Sequence, residues 1–327
     1  MSKLVRDNLL ILTLLAATLL ACLAPRLGLR LQELGVVPAL IMAVFLCQGA
    51  SIDGLTGQSA LSGLRAGVWG LLVAHAAAPV CGWLAMRALG WQADDRVGFL
   101  LMCCMAPTLV SGVVITAQAH GDRTLALFLV VGLNLASVLT VPFNLRWTLA
   151  ADIGLNPWSL LGKLVIYLLL PGLLGHWLRR QWPAFAQRHT PFIKYAPVVF
   201  LGVTVYISIC QQADAVMHLT GGRLLALLVP AVGVHYALLA LAYFGAPRLA
   251  GVGEPQRRAV AIIASQKTIP VAVAIWTTEF ATTYPLALVP ALVFHLSQIY
   301  GDGLLARWWV RRDRARAAAG GETGEEA

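Results

Sequence analysis

The sequence predicts an all-α membrane protein of ten transmembrane helices, arranged as two inverted five-helix repeats. Three observations predict it. Of 327 residues, 59% are hydrophobic and 12% charged, with a mean hydropathy of +0.76, whereas a soluble domain carries roughly 25% charged residues. Apolar stretches of about 16 to 24 residues recur, a length that crosses a hydrocarbon core of about 30 Å as a helix. Polar and proline signals also repeat at one fixed offset between the two halves of the chain.

The expected spans lie near 8–24, 36–51, 66–88, 98–118, 124–145, 158–178, 195–211, 224–244, 259–278 and 286–309. Leu-Leu-Ala-Cys at 19–22 resembles a lipoprotein cleavage site behind a short basic start. Nine further spans follow, so the first is read as a retained helix. Loop charges orient the set. With the N-terminus in the cytoplasm, sixteen Lys and Arg residues fall in inside segments and six in outside segments. Both termini are therefore expected to be cytoplasmic. The net charge of +9 follows from this bias and from attraction to anionic inner-leaflet lipid, which leaves a nucleic-acid partner without support. Residues 1–309 read as one membrane domain, and 310–327 as a short, basic, disordered cytoplasmic tail. The six cysteines all fall within spans and suggest neither a disulfide framework nor a metal site.

Five spans per half invert the second half relative to the first, a common transporter architecture. Repeat one covers about 8–145 and repeat two about 158–309. "CQGA" starts at Cys47 and "CQQA" at Cys210; Pro107 interrupts the fourth span and Pro270 the ninth. Both pairs are separated by 163 residues. A proline inside a helix frees the carbonyl four residues earlier, here those of Cys103 and Gln266. In a membrane such groups need partners from neighbouring helices, water or a ligand. Pro38, Pro79, Pro142, Pro171, Pro230 and Pro290 also lie within or at the ends of spans and read as structural kinks. Pro107 and Pro270 differ because polar residues crowd around them: Thr108, Ser111 and Gly112 at the first, Ser265, Gln266, Lys267 and Thr268 at the second. Asn134, Ser137 and Thr140 follow in the fifth span. Any one hydroxyl can simply bond back to its own helix; the clustering around a break points to function.

"FLCQGASIDGL" at 45–55, "MCCMAPTLVSGVVITAQAHGD" at 102–122, "ASQKTIPVA" at 264–272 and "ALVFHLSQIY" at 291–300 resemble the bile acid:sodium symporter family, and more closely its SBF-like branch with bacterial homologues of the seventh human member. The resemblance implies a panel domain and a core domain, with the fourth and ninth helices unwinding and crossing at mid-membrane. It also implies a small organic anion bound in the cleft between domains, ions behind the crossover, and a bacterial inner (plasma) membrane location. By position, Thr108, Ser111 and Gly112 fall in one break and Ser265, Gln266, Lys267 and Thr268 in the other. The chain departs from the sodium-coupled pattern in three places. Ile262 stands where relatives have a ninth-helix glutamate, residues near Gly112 and Val113 replace a serine-asparagine pair, and His75 lies close to a third-helix glutamine position.

None of the fifteen carboxylates sits at the middle of an expected span; Asp302 comes closest. Neutral oxygens can hold sodium, but a site lacking a carboxylate is harder to stabilise at low dielectric, so sodium is left as an open question and no cofactor is indicated. Lys267 is expected to supply the missing cation, its ammonium donating to oxygens that would otherwise coordinate sodium, the Gln266 carbonyl among them. The bland alternative is a structural salt bridge to Asp302. Whether the lysine titrates is not legible. Lys163 is expected to snorkel to the interface, and His235 and His295 are either packing residues or proton relays. The leading function is a secondary transporter of a small organic anion; the alternative is a regulatory membrane protein keeping a transporter fold. An enzyme is disfavoured: there is no HExxH motif and no mid-membrane aspartate pair.

Overall fold

Hydrophobic runs that cannot leave a backbone N–H or C=O unpaired in lipid become helices, and the described residues contain no strand. The structure is a computed structural model, and the residues it describes are 9–51, 60–108, 110–149, 154–210 and 220–321. In order they form α1 (Leu9–Leu23), α2 (Pro25–Glu33), α3 (Val37–Ala50), α4 (Ala60–Leu72) and, through a π turn at Val73–Ala77, α5 (Ala78–Leu89). Next come α6 (Ala93–Cys104), α7 (Val110–Gln118), α8 (Arg123–Leu149), α9 (Pro157–Leu164) and, after a second π turn, α10 (Leu170–Gln181). The remainder is α11 (Pro183–Arg188), α12 (Thr190–Cys210), α13 (Gly221–Leu249), α14 (Glu254–Ser265), α15 (Ile269–Ile275), a third π turn (Trp276–Phe280), a 3₁₀ turn (Pro285–Ala287) and α16 (Leu288–Gly321).

Seven helical stretches are long and apolar enough to cross a membrane, and a bent pair brings the number to eight. Ten spans were expected. Of the two others, α1 has 15 residues, and the stretch 98–118 is divided between helices of 12 and 9 residues. The bent pair is α2 and α3, which meet at 87°; a segment expected to be loop is helical and carries Arg26 and Arg30. The tail from 310, expected to be disordered, continues α16 as far as Gly321. "CQQA" enters the description only through Cys210, since 211–219 lie outside the described residues.

The helices sort into two groups. In one, α3 packs on α10 and α12, and α12 on α1 and α2. In the other, α13 packs on α14 and α16, α16 on α6, and α8 on α4, α7 and α14. The first group is joined tightly by small residues: a Cβ on Gly49 would collide with the Gly172 carbonyl, and one on Gly175 with the carbonyl of Leu46. Such close backbone approach is how helices associate where lipid removes the hydrophobic drive.

Ion pairs fasten the second group at both ends. Arg223 grips Asp95 with two bonds, of 2.8 and 3.3 Å. At the other end, buried Arg258 (4% exposed) holds both oxygens of Asp313 at 2.7 and 2.8 Å and donates to the Ala119 carbonyl at 2.8 Å. Arg258→Ala is expected to lower stability by about 1.5–3 kcal/mol, the range for hydrogen bonds to charged groups. A drop in melting temperature relative to an Arg248→Ala control, at an exposed arginine bonded within its own helix, checks this. Lys163, expected to snorkel to the interface, pairs with Glu279 at 2.5 Å.

Candidate functional site at the helix crossover

Two spans stop being helical inside the protein. Helix α6 ends at Cys104, after which Met105 is extended (φ −72°, ψ 159°). Helix α14 ends at Ser265, after which Gln266 is extended (φ −67°, ψ 150°). Pro270 lies in the first turn of α15, where its missing N–H is of no consequence. It therefore starts a second helix rather than kinking one. The breaks meet: the Thr268 N–H donates to the Ala106 carbonyl at 2.8 Å. One backbone rung thus ties the two interruptions together.

Side chains extend the junction. The Thr108 hydroxyl donates to Gln266 Oε1 at 2.5 Å and accepts from the Ser111 hydroxyl at 2.8 Å and the Gly112 N–H at 3.2 Å. A Cβ at Gly112 would press on Ile263, Gln266 and Thr108, so glycine is what lets α7 come this close. Gln266 Nε2 donates to Asp302 Oδ2 at 2.7 Å, and His235 Nε2 lies 2.7 Å from Asp302 Oδ1. A continuous hydrogen-bonded chain therefore runs Ser111, Thr108, Gln266, Asp302, His235.

Lys267 is fully buried. Its main chain is clamped by α16: the N–H donates to Gln298 Oε1 at 2.9 Å, and the carbonyl accepts from Gln298 Nε2 at 2.5 Å and His295 Nδ1 at 3.0 Å. Its Nζ donates to the Ala74 carbonyl at 2.7 Å. That oxygen is available for two local reasons. The Ala78 N–H reaches back to Val73 in the π turn, and Pro79 has no N–H to offer. The same proline frees the His75 carbonyl, which accepts from Asn144 Nδ2 at 2.7 Å. The structural salt bridge to Asp302 is not formed, because both Asp302 oxygens are directed to His235 and Gln266. Nor does Nζ turn to the Gln266 carbonyl, as had been expected.

Of the residues picked from the sequence, Thr108, Ser111, Gly112, Gln266, Lys267 and Thr268 converge at the crossover. Ser265 does not: its hydroxyl bonds back to Ala261 within α14 at 2.8 Å. Asn134 Nδ2 donates to the carbonyl of Pro107 at 3.1 Å and to that of Val130 at 2.8 Å. Asn134 also lines a cavity of about 180 Å³ with Gln48, Ser137, Gly172 and His176, and these residues come from both helix groups. The site is thus anchored to a cleft between the groups. Ala74, Gln298 and the roles of His295 and Asp302 were missed. A signal existed: His295, Gln298 and Asp302 are spaced i, i+3, i+7 on one helix face. Among the described residues no group of three or more His, Cys, Asp or Glu could hold a metal ion.

Residues 8–311 match the description of the SBF-like CPA transporter family. The chain is similar to a "Probable sodium/metabolite cotransporter BASS4, chloroplastic" of Arabidopsis thaliana, 26% identical over 94% of this chain and 74% of that one. It is similar to a "Putative symporter YfeH" of Escherichia coli, 23% identical over 92% of each. It is also similar to the "Sodium/bile acid cotransporter 7" of Mus musculus, 22% identical over 86% of each.

Proposed function

The chain belongs to the SBF-like CPA transporter family, and from that membership we propose that it carries a small organic anion by alternating access with no sodium at the crossover. A membrane transporter and not an enzyme, it is read here as ten spans in two inverted repeats. The group containing α1, α3, α10 and α12 acts as panel, and the group containing α6, α8, α13, α14 and α16 as core. Loop charges favour cytoplasmic termini in a bacterial inner membrane.

The observation that supports sodium independence is the Lys267 ammonium, buried and bonded to Ala74. This ammonium stands where a cation would otherwise draw in oxygens, and Ile262, at the position of the relatives' acid, is fully buried in apolar surroundings. An anion in the cleft then meets an interior that already holds one cationic group, with no sodium loaded first. Asn134 is the group that touches both cleft and crossover, and substrate contact there would reach the breaks through Pro107.

The test is the melting temperature of the purified protein in sodium chloride against choline chloride at equal ionic strength. A native-state ion present at 100 times its Kd adds about 2.7 kcal/mol of stability. The expected result is no sodium-specific rise; a sodium-specific rise would overturn the reading. The absence of a ninth-helix acid also favours a second reading, a regulatory protein that keeps the fold without transport. Accumulation of an organic anion by vesicles containing the protein separates the two.

A further inference from the structure

We propose that the buried His235–Asp302 pair binds the proton that travels with the anion, the proton residing on His235 Nδ1. The inference rests on the transport reading above. The His235 side chain is 1% exposed and that of Asp302 is 0% exposed. An ionisable pair at this depth is costly to desolvate, and a hydrophobic pair would hold α13 to α16 as well or better. Its retention in the membrane interior is a default sign of function.

The hydrogen-bond inventory locates the proton. Gln266 Nε2–H donates to Asp302 Oδ2, and His235 Nε2 lies 2.7 Å from Oδ1; since a carboxylate only accepts, Nε2 carries the hydrogen of that bond. With Nε2 as the donor, the neutral ring keeps its lone pair on Nδ1, and that atom is buried without a partner. Loading forms an N–H bond at Nδ1 as an O–H bond of hydronium breaks and leaves water behind; release is the reverse, and no electron changes owner. A carboxylate at Asp302, 2.7 Å from Nε2, is the partner that stabilises the imidazolium.

Charge then links this site to the cleft. The Lys267 ammonium and Asp302 carboxylate sum to zero. A proton on His235 makes the core +1, which one monoanion neutralises, so each ligand raises the affinity for the other by the same factor. The chain Asp302, Gln266, Thr108, together with Asn134 on Pro107, runs between the two positions. The other titratable groups around the pair are Tyr236 on α13, which lies beside Asp302 and against Gly301, His295 on α16, and Lys267, whose ammonium is directed away to Ala74. On α6, Cys103 and Cys104 face Lys267 rather than the pair.

The experiment is nitrogen NMR of the full chain in nanodiscs with imidazole-labelled histidine, titrated between about pH 5 and 9. In the wild type, the two separated His235 nitrogen signals are expected to merge towards the imidazolium pattern as pH falls, with the signals assigned by their loss in His235→Gln. In Asp302→Asn the ring stays neutral over the same range. Where those variants do not accumulate, the signals lost one at a time in single His→Gln variants of the other six histidines, His75, His120, His176, His189, His218 and His295, leave that of His235 by elimination, and Asp302→Glu preserves the titration. His235 nitrogens that hold one protonation state throughout would overturn the proposal. That outcome leaves the transport reading standing, since vesicle accumulation judges it separately.

Discussion

Lys267→Met is expected to reduce anion uptake by about a hundredfold while the protein still folds and inserts. The magnitude is that of losing an interaction of 2–3 kcal/mol, the upper range for a hydrogen bond to a charged group. Methionine fills most of the lysine volume with an adaptable chain, so packing around α15 and α16 is kept. Two energetic changes oppose each other. The Ala74 carbonyl loses its donor, which costs about 1–3 kcal/mol for a buried acceptor, and the burial of a charge, about 2.5–3.5 kcal/mol on the lenient insertion scale, is relieved. Melting temperature should therefore move little. Uptake should fall because the positive charge that receives the anion is gone. Parallel measurement of vesicle uptake and thermal stability checks both halves, and normal uptake would remove the lysine from the mechanism.

A large loss of stability is expected at Gly175. A valine there would drive its Cβ into the Leu46 carbonyl, and the neighbouring Ala50 nitrogen leaves no room to slide. Backbone atoms cannot rotate out of the way as a side chain can, so α3 and α10 must separate along the contact that Gly49 and Gly172 also share. Overpacking costs about 1–3 kcal/mol where side chains can adjust, and the backbone clash places Gly175→Val at or above the top of that range. Gly132 and Gly233 have nothing within reach of a Cβ and serve as controls whose valine variants should melt like wild type. Comparison of detergent melting temperatures across the four variants Gly49→Val, Gly175→Val, Gly132→Val and Gly233→Val decides the matter.

What the sequence made legible follows from what leaves a trace in composition. Apolar length marks where helices run, and the polar runs beside Pro107 and Pro270 mark where two of them fail. Direction is not written in composition. Ser265 sits one residue before Gln266, yet it belongs to the last turn of α14 and bonds to Ala261, whereas Gln266 faces across the crossover. Lys267 and Asp302 were the one deep cation and the nearest acid, and pairing them was the bland alternative to an ammonium held among freed oxygens. Their side chains diverge because Gln298 and His295 pin the Lys267 backbone and leave Nζ facing the third span. The π turn there has no compositional signature, and Pro79 looked like one kink among several. Only the position of Ala78 N–H on Val73 shows that it exposes a carbonyl rather than merely bending a helix.

That π turn also has a meaning for how little a helix must change to present an oxygen. A π turn is an α-helix holding one residue too many, and a helix absorbs a single-codon insertion in this way without moving either end. The third span therefore needs no new loop or new fold to present an oxygen to Lys267, only a change in reading length within Val73–Ala77. Oxygen and lysine depend on each other: the buried Ala74 carbonyl without the lysine is an orphan inside the protein, and the lysine without the oxygen is an unmet charge.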